Sequence, residues 1–152
     1  MNRFFEDLAI GFAVTSRTYD VGKDEIVEFA TSWDPQPFHI DEAAARDTFF
    51  GTLVASGVHT FAIAMRLGVD CGVLTGNSVA GLGIDRMRFL APVLPDSTLT
   101  ATFTVESLRP SRSKPAFGIV DWDVVIRDET GKGVFAAQFT NLYRRKRPAP
   151  AQ

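Results

Sequence analysis

Two side chains that can exchange protons with a substrate stand five positions apart in this sequence, Asp34 and His39, on a segment stiffened by Pro35 and Pro37. A carboxylate and an imidazole held close together can act as an acid/base pair. Further along, Gly57 opens an apolar stretch, and the backbone N–H at the start of a helix can stabilise an oxyanion. This combination predicts an enzyme site that moves protons next to a developing negative charge.

Three neighbouring residues allow both a structural and a functional interpretation. Ser56 is predicted to cap the helix that follows it, because no Gly-x-Ser-x-Gly elbow surrounds it. His59, in the first turn of that helix, either lies near a substrate or packs in the core. Asp41 is predicted to cap a short helix through residues 43–45, or else to orient the nearby imidazole.

The first half of the chain has the apolar spacing of helices. The apolar residues between 26 and 33 fall at i, i+3, i+4 and i+7, which predicts an amphipathic helix that ends with Trp33 on its apolar face. The prolines that follow predict a loop over residues 34–39. Residues 58–67 are apolar on nearly every side, so they predict a helix that is buried all round.

Later segments alternate apolar and polar residues, which is typical of strands with one buried face. Residues 98–105, 120–126 and 135–139 alternate in this way, and the turn residues between them predict an antiparallel meander. Residues 79–90 predict a further strand that bends at its glycines, and residues 12–19 predict an edge strand.

Five strands and one wholly apolar helix have one economical packing, in which the sheet curls round the helix. The sequence therefore predicts an α+β fold with a single antiparallel sheet of about five strands wrapped round a long central apolar helix. We assign one domain to residues 1–147, because 152 residues match the usual size of one domain. The polar, proline-rich tail from Arg144 onward is expected to be frayed, with residues 148–152 outside the domain.

The composition excludes several classes of protein. Hydrophobic residues make up 45% of the chain, and the formal net charge of -2 provides no field that would attract nucleic acid or an anionic membrane. The single cysteine, Cys71, has no disulfide partner, and no apolar run is long enough to span a bilayer. Since no secretion signal is visible, we expect a cytoplasmic protein that binds neither nucleic acid nor membranes.

The order of these motifs resembles the MaoC-like acyl dehydratases and (R)-specific enoyl-CoA hydratases, which have the hot-dog fold. The resemblance rests on the Asp-x-x-Pro-x-His spacing that ends at His39, on Phe50-Gly51, on Ser56-Gly57 and on residues 89–93. It implies a lyase that reversibly adds water to a trans-2-enoyl-CoA or to the same acyl group on a carrier protein, as in fatty acid metabolism.

The resemblance also assigns roles to individual residues. Asp34 and His39 correspond to the catalytic pair, and the N–H of Gly57 corresponds to the donor that meets the thioester carbonyl. The CoA or acyl-carrier thioester is then the substrate, with no metal and no other cofactor. The family implies a homodimer, or a larger homo-oligomer, in which the substrate lies in a tunnel at or near the subunit interface.

Six further residues are expected to contact the substrate: Phe50, Gly51, Ser56, His59, Arg112 and Lys114. The two basic residues belong to a cluster in the loop over residues 109–115, where they could bind the phosphates of CoA. The sequence departs from the family pattern at three positions. Trp33 replaces a usual glycine, Gln36 replaces a usual asparagine, and Met65 stands where some members have an active-site serine.

Two other functions remain open on the sequence alone. Related hot-dog thioesterases commonly place a carboxylate on or beside the central helix to drive hydrolysis, and residues 49–69 contain none. A non-catalytic acyl-CoA sensor would keep Gly57 but would have no use for Asp34 and His39 together. The presence of that pair favours the hydratase.

Overall fold

The computed structural model describes residues 2–146, and these form four α-helices and five β-strands. The helices are α1 (Lys23–Trp33), α2 (Pro37–Ile40), α3 (Glu42–Ala45) and α4 (Gly57–Asp70), and a 3-10 turn covers Phe5–Asp7. The strands are β1 (Ala13–Val21), β2 (Ser78–Phe89), β3 (Ser97–Pro110), β4 (Phe117–Arg127) and β5 (Gly133–Arg144). Over this range no helix is long and apolar enough to cross a bilayer.

All five strands belong to one antiparallel sheet in the order β1-β3-β4-β5-β2. Strands β3, β4 and β5 form the predicted meander, and β2 crosses over to pair with β5. Strands β1 and β2 are therefore the two edges, while α4 packs against one face of the sheet. This arrangement confirms the predicted α+β hot-dog fold.

The core lies between α4 and the sheet. Strand β3 alternates as predicted, so Leu99, Ala101 and Phe103 are fully buried while the threonines between them are half-buried. Ile63 and Leu67 of α4 belong to the same cluster. Since full burial of a leucine, isoleucine or phenylalanine side chain stabilises a fold by about 1.5–3 kcal/mol, this layer holds α4 against the sheet.

The prediction that the central helix is buried on every side is wrong. Val58, Met65 and Val69 are 50%, 38% and 45% exposed, and their spacing of seven and four residues places them on one face of α4. A sheet on one side of a helix covers only one stripe of it. Strand β2 is also exposed along most of its length, so the subunit presents an apolar surface that it does not cover itself.

The segment predicted as a loop over residues 34–39 contains the start of a helix. Pro37 opens the single-turn helix α2, because a proline at the first helical position lacks only an N–H that the helix would not use. Trp33 is 73% exposed at the end of α1, so it does not join the buried face that Ile26 and Ala30 form. The helical periodicity therefore holds only until the last turn of α1.

The two predicted helix caps are confirmed. The side chain of Asp41 accepts hydrogen bonds from the N–H groups of Ala43 and Ala44 at 2.7 and 3.0 Å. The hydroxyl oxygen of Ser56 accepts one from the N–H of Val58 at 3.2 Å. Both caps satisfy N–H groups that have no partner within their own helix.

The expectation of a frayed tail from Arg144 is wrong for its first residues. Arg144 completes β5, and the side chain of Arg145 donates to Glu6 at 2.9 Å. The backbone N–H of Lys146 donates to Glu6 at 2.8 Å, and its side chain pairs with Asp7. The predicted tail over residues 148–152 lies outside the described residues.

Candidate active site

Asp34 lies at the C-terminal end of α1, where its backbone has left the helix. Its Oδ2 accepts a hydrogen bond of 2.6 Å from the hydroxyl of Ser56, and its Oδ1 accepts one of 2.8 Å from the side-chain amide of Gln36. Hydrogen bonds to a carboxylate favour its charged form. The Ser56 hydroxyl, and to a smaller extent the Gln36 amide, therefore hold the pKa of Asp34 below its ordinary value.

His39 is buried on α2, with one ring nitrogen bonded to backbone and the other facing Asp34. Its Nδ1 lies 2.6 Å from the carbonyl oxygen of Val54. A carbonyl oxygen can only accept, so Nδ1 carries a proton and the neutral ring has its lone pair on Nε2. This Nε2 lies 3.4 Å from Oδ2 of Asp34, which leaves two acceptors side by side.

The backbone of Val54 fixes this geometry. Its N–H donates to the carbonyl of Phe38 at 3.0 Å, while its own carbonyl accepts from His39. The next residue, Ala55, donates its N–H to the carbonyl of Val93 at 2.8 Å. The strand-like segment before α4 is thus tied to α2 on one side and to the chain after β2 on the other.

Gly57 is the first residue of α4, directly after the Ser56 cap. Among the hydrogen bonds within residues 2–146, none uses the N–H of Gly57. The helix dipole adds a partial positive charge at this point. A carbonyl oxygen of a ligand could therefore accept from this N–H while negative charge grows on it.

The absence of a side chain at Gly57 makes room for an aromatic ring. A Cβ atom at this position would lie 2.6 Å from Cζ of Phe89, which is closer than non-bonded carbon atoms approach. Phe89 ends strand β2, and its ring also packs near Phe135 with 6.1 Å between centroids. The start of α4 and the end of β2 therefore meet face to face at the site.

These groups open into one cavity of about 410 Å³. Its lining includes Asp34, His39 and Gly57 together with side chains that are mostly apolar: Phe38, Phe50, Val54, Val58, Phe89, Leu90, Val93 and Val134. The ionisable side chains of this lining are those of Asp34 and His39. The arrangement can hold a small polar molecule between two acceptors while an apolar group fills the remaining space.

The other residues predicted to contact substrate are divided. Phe50 lines the cavity, and its ring packs against Phe38 with 5.1 Å between centroids. Gly51 lies outside the lining, in a turn with φ of +66° that favours glycine. Ser56 is fully buried behind Asp34, so it acts on the carboxylate rather than on the cavity.

His59 does not line the cavity, in contrast to its predicted role. Its Nε2 lies 2.9 Å from Oε1 of Glu25, and its ring stacks on Phe29 with 4.5 Å between centroids. The ring is 3% exposed. The prediction that His59 lies in the first turn of α4 is confirmed, but its side chain points towards α1.

Arg112 and Lys114 also lie away from the cavity within one subunit. They belong to the hairpin between β3 and β4, next to the end of β5, whereas the cavity borders the start of β5. The neighbouring Arg109 pairs with Asp121 at 2.8 Å. The predicted contact between these basic residues and a bound thioester therefore has no support from the placement of this loop within the subunit.

Three contributors to the site were not identified from the sequence. Val54 acts through its carbonyl, which gives no residue-type signal. Phe89 belongs to a stretch that supported the resemblance, but its contact with Gly57 depends on how β2 crosses to the far edge of the sheet. Gln36 was noted as a departure, and its proximity to Asp34 in sequence was the available signal.

Comparison with known proteins assigns this chain to a family. The fold is that of the hot-dog proteins, and the side chains of Asp34 and His39 line a cavity beside the start of α4. The sequence profile of the family described as MaoC like domain matches residues 9–124, well over half of the chain. The chain belongs to this MaoC-like family.

Similar proteins include solved structures and named hydratases. The crystal structure of the MaoC-like dehydratase from Rhodospirillum rubrum is 36% identical with a TM-score of 0.91, and the match covers 97% of this chain and 100% of that one. An (R)-specific enoyl-CoA hydratase from the same organism is 32% identical over 75% of this chain and 77% of its own length. A mesaconyl-CoA hydratase from Haloarcula marismortui is 30% identical over 84% of this chain and 35% of its own length.

Proposed function

We propose that this protein is an acyl-thioester hydro-lyase that reversibly adds water to a trans-2-enoyl thioester. The observation that carries the proposal is the meeting of three groups in one cavity. Asp34 and His39 lie 3.4 Å apart, and the unbonded N–H of Gly57 borders the same space. The names of the related hydratases support the reaction class.

The two acceptors can bind one water molecule. In its neutral form His39 presents the Nε2 lone pair, and Asp34 presents its carboxylate, so a water between them donates one proton to each. The lone pair of that water then points into the cavity, towards the β-carbon of a bound enoyl group. The low pKa of Asp34 keeps the carboxylate ionised for this task at neutral pH.

Addition proceeds with balanced protons. As the water oxygen bonds to the β-carbon, the pair takes one proton, and the electrons of the double bond move towards the thioester oxygen. The N–H of Gly57 donates to that oxygen while it carries the charge. Return of the proton to the α-carbon gives the 3-hydroxyacyl thioester, and the reverse sequence removes water.

The lining of the cavity supports an acyl group without a charge. Its ionisable side chains are one carboxylate and one imidazole, and the remaining surface is mainly aromatic and aliphatic. A free carboxylate on the acyl group would face the carboxylate of Asp34. The described residues that line the cavity include no lysine or arginine to compensate this charge, so its burial in an apolar site would be costly. We therefore assign enoyl-CoA or enoyl-carrier thioesters to this site in preference to mesaconyl-CoA, whose acyl group carries a free carboxylate.

The first experiment measures hydration of a short enoyl-CoA, such as crotonyl-CoA, by the loss of the absorbance of the conjugated thioester. We expect Asp34→Asn and His39→Gln each to lower kcat/KM by about 10²-fold or more. Asp41→Asn serves as a control, because this carboxylate lies two residues beyond His39 and caps α3 outside the cavity. Thermal unfolding of each variant would show that the fold is kept.

The outcomes separate this function from its rivals. Unchanged rates in both site variants would remove the proposed mechanism. Release of free CoA from saturated acyl-CoA faster than hydration would identify a thioesterase. Binding of acyl-CoA without either reaction would identify a sensor. Faster hydration of mesaconyl-CoA than of crotonyl-CoA would keep the reaction and overturn the assignment of an uncharged acyl group.

A further inference from the structure

A polar cluster formed by the buried His59 and the half-buried Tyr19 and Glu25 lies outside the cavity. Oε1 of Glu25 accepts from the hydroxyl of Tyr19 at 2.7 Å and lies 2.9 Å from Nε2 of His59. Phe29 covers the imidazole, whose ring plane is 10° from its own. One carboxylate thereby joins β1, α1 and α4.

The protonation of this cluster follows from its contacts. Within residues 2–146, Nδ1 of His59 is buried and has no hydrogen-bond partner. A buried lone pair without a partner costs less than a buried N–H without one, so the geometry fits a ring with its proton on Nε2. That proton is donated to Glu25, which then accepts from two donors.

The cluster sits between the two helices that carry the site. Asp34 follows the last residue of α1, nine residues after Glu25, and α4 starts at Gly57, two residues before His59. The only other side-chain hydrogen bond that joins these two segments, among those of the described residues, runs from Ser56 to Asp34. The first turn of α4 is thus held to α1 at two points, one inside the site and one behind it.

We infer that Glu25 and His59 are positioning residues for the reaction: their bond holds the first turn of α4 against α1. In this way Ser56 and the N–H of Gly57 keep their places beside Asp34. The inference rests on the proposed function, since it assigns these residues to the support of that chemistry. Neither residue lines the cavity.

Two substitutions at His59 test the role of the bond. His59→Leu removes the donor and keeps an apolar side chain of similar reach, whereas His59→Gln supplies an amide N–H near the position of Nε2. We expect His59→Leu to lower kcat by about 10-fold or more with a change in KM below about 3-fold, because displacement of catalytic groups impairs the reaction more than binding. We expect His59→Gln to recover most of kcat.

A matched control removes a different side-chain interaction of the same helix α4. Asp70, at the other end of α4, pairs with Arg17 of β1 at 2.7 Å. Asp70→Asn removes a β1–α4 link far from Gly57 and should leave kcat unchanged within about 2-fold. Equal losses in His59→Leu and Asp70→Asn, or no rescue by His59→Gln, would reduce the Glu25–His59 bond to a general stabilising contact and overturn the inference.

A measurement without turnover separates this inference from the proposed function. The carboxyl carbon of Asp34 can be titrated by 13C NMR in each variant, with His39 as the titratable neighbour facing it and Gln36 and Ser56 as its donors. Loosening of α4 weakens the Ser56 bond, so the pKa of Asp34 should rise in His59→Leu alone. If the wild-type protein does not hydrate enoyl thioesters but the pKa of Asp34 still rises in His59→Leu, the proposed function is wrong and the positioning role stands. An unchanged pKa would overturn the positioning role.

Discussion

The carboxylate of Asp34 receives a hydrogen bond on each oxygen and faces the imidazole of His39 as well. Such a carboxylate is held in one orientation and in its charged form. Gln36, although it replaces the asparagine usual in the family, still brings an amide to this group. The hydrogen bond that lowers the pKa of Asp34 most comes from Ser56, whose side chain is fully buried and does not line the cavity.

Substitution of Ser56 by alanine should therefore move the pH dependence of the reaction. Loss of the hydroxyl removes a donor to the charged form of Asp34, so the pKa of Asp34 rises towards its ordinary value. Activity that needs the carboxylate is lost as pH falls through this pKa. We expect the acidic limb of the kcat profile to shift to higher pH, measured with crotonyl-CoA over a range that begins well below about pH 3.9, the ordinary pKa of Asp.

Ser56→Ala should also lower the free energy of unfolding. A depressed pKa stabilises the folded protein above the unfolded pKa of Asp, about 3.9, and this contribution disappears as pH falls through the folded value. Ser56→Ala also removes a helix cap, at a cost of about 1 kcal/mol. Asp41→Ala removes a comparable cap away from Asp34, so it should lower stability without moving the acidic limb. An identical pH profile for Ser56→Ala would contradict the assigned role of the hydroxyl.

Sequence spacing predicted the central pair well but could not choose partners for every side chain. Five positions and two prolines are enough to bring Asp34 and His39 to one place. Both interpretations of His59 stayed open on the sequence, because a position on a helix does not reveal which neighbour that face meets, and the structure places the ring against α1. The role of the Arg112 loop stays a prediction, because a cluster of charges gives no information on which end of a sheet it occupies, and the loop lies away from the cavity of its own subunit.

Among the elements, the junction of α4 and β2 depends on the smallest residue. The ring of Phe89 occupies the space that a side chain at Gly57 would need, with 2.6 Å between Cζ and an added Cβ. Since the φ of Gly57 is not in the left-handed region, the need for glycine here arises from this contact and not from backbone strain. The start of the helix and the end of the strand are therefore fitted to each other.

Gly57→Ala should impair the reaction through that contact. The N–H remains in this variant, but the ring or the helix must move, and displacement of about 1 Å can lower a rate by about 10²-fold. The second substitution Phe89→Leu should restore part of the loss, because it frees the space beside the new methyl group. Steady-state hydration kinetics of the single and double variants test this. A double variant as impaired as Gly57→Ala alone would show that the methyl group blocks the substrate instead.

Alternation and periodicity predicted the elements because each pattern reports one buried face. They placed all five strands and the two longer helices, and the capping residues marked where α3 and α4 begin. These patterns did not predict burial that depends on which element packs against a given face. The apolar residues of α4 predicted burial on every side, yet Val58 and Met65 lie on a face that the five-stranded sheet does not reach.

For the whole molecule, that uncovered face of α4 continues onto strand β2 as an exposed apolar surface. Within residues 2–146, strand β2 pairs with β5 alone, and its other edge leaves N–H and C=O groups free to pair. Leu82 and Met87 on this strand are 53% and 46% exposed. Phe89 and Leu90, which line the cavity, are also more than half exposed, so a second subunit on β2 would close the mouth of the site. From these features we propose that the protein forms the homodimer that the family resemblance implies.

Leu82→Glu together with Met65→Glu should convert the protein to a monomer in analytical ultracentrifugation. Two carboxylates in an apolar interface have no compensating charge. We expect hydration to fall at least about 10-fold with the dimer, because a cavity open to solvent no longer excludes water from the reacting groups. Ile10→Glu is the control, since Ile10 is 73% exposed next to β1, at the other edge of the sheet. A monomeric wild-type protein at micromolar concentration would contradict the proposal.

The pairing of Glu6 and Asp7 with Arg145 and Lys146 has a practical consequence for work with this protein. Both ends of the described chain leave at one corner, and β5 runs from there for about 35 Å towards the cavity. An affinity tag, fluorescent reporter or surface tether joined directly after Lys146 would leave the described residues at this corner. Immobilised preparations should consequently keep the entrance of the cavity accessible to dissolved thioesters.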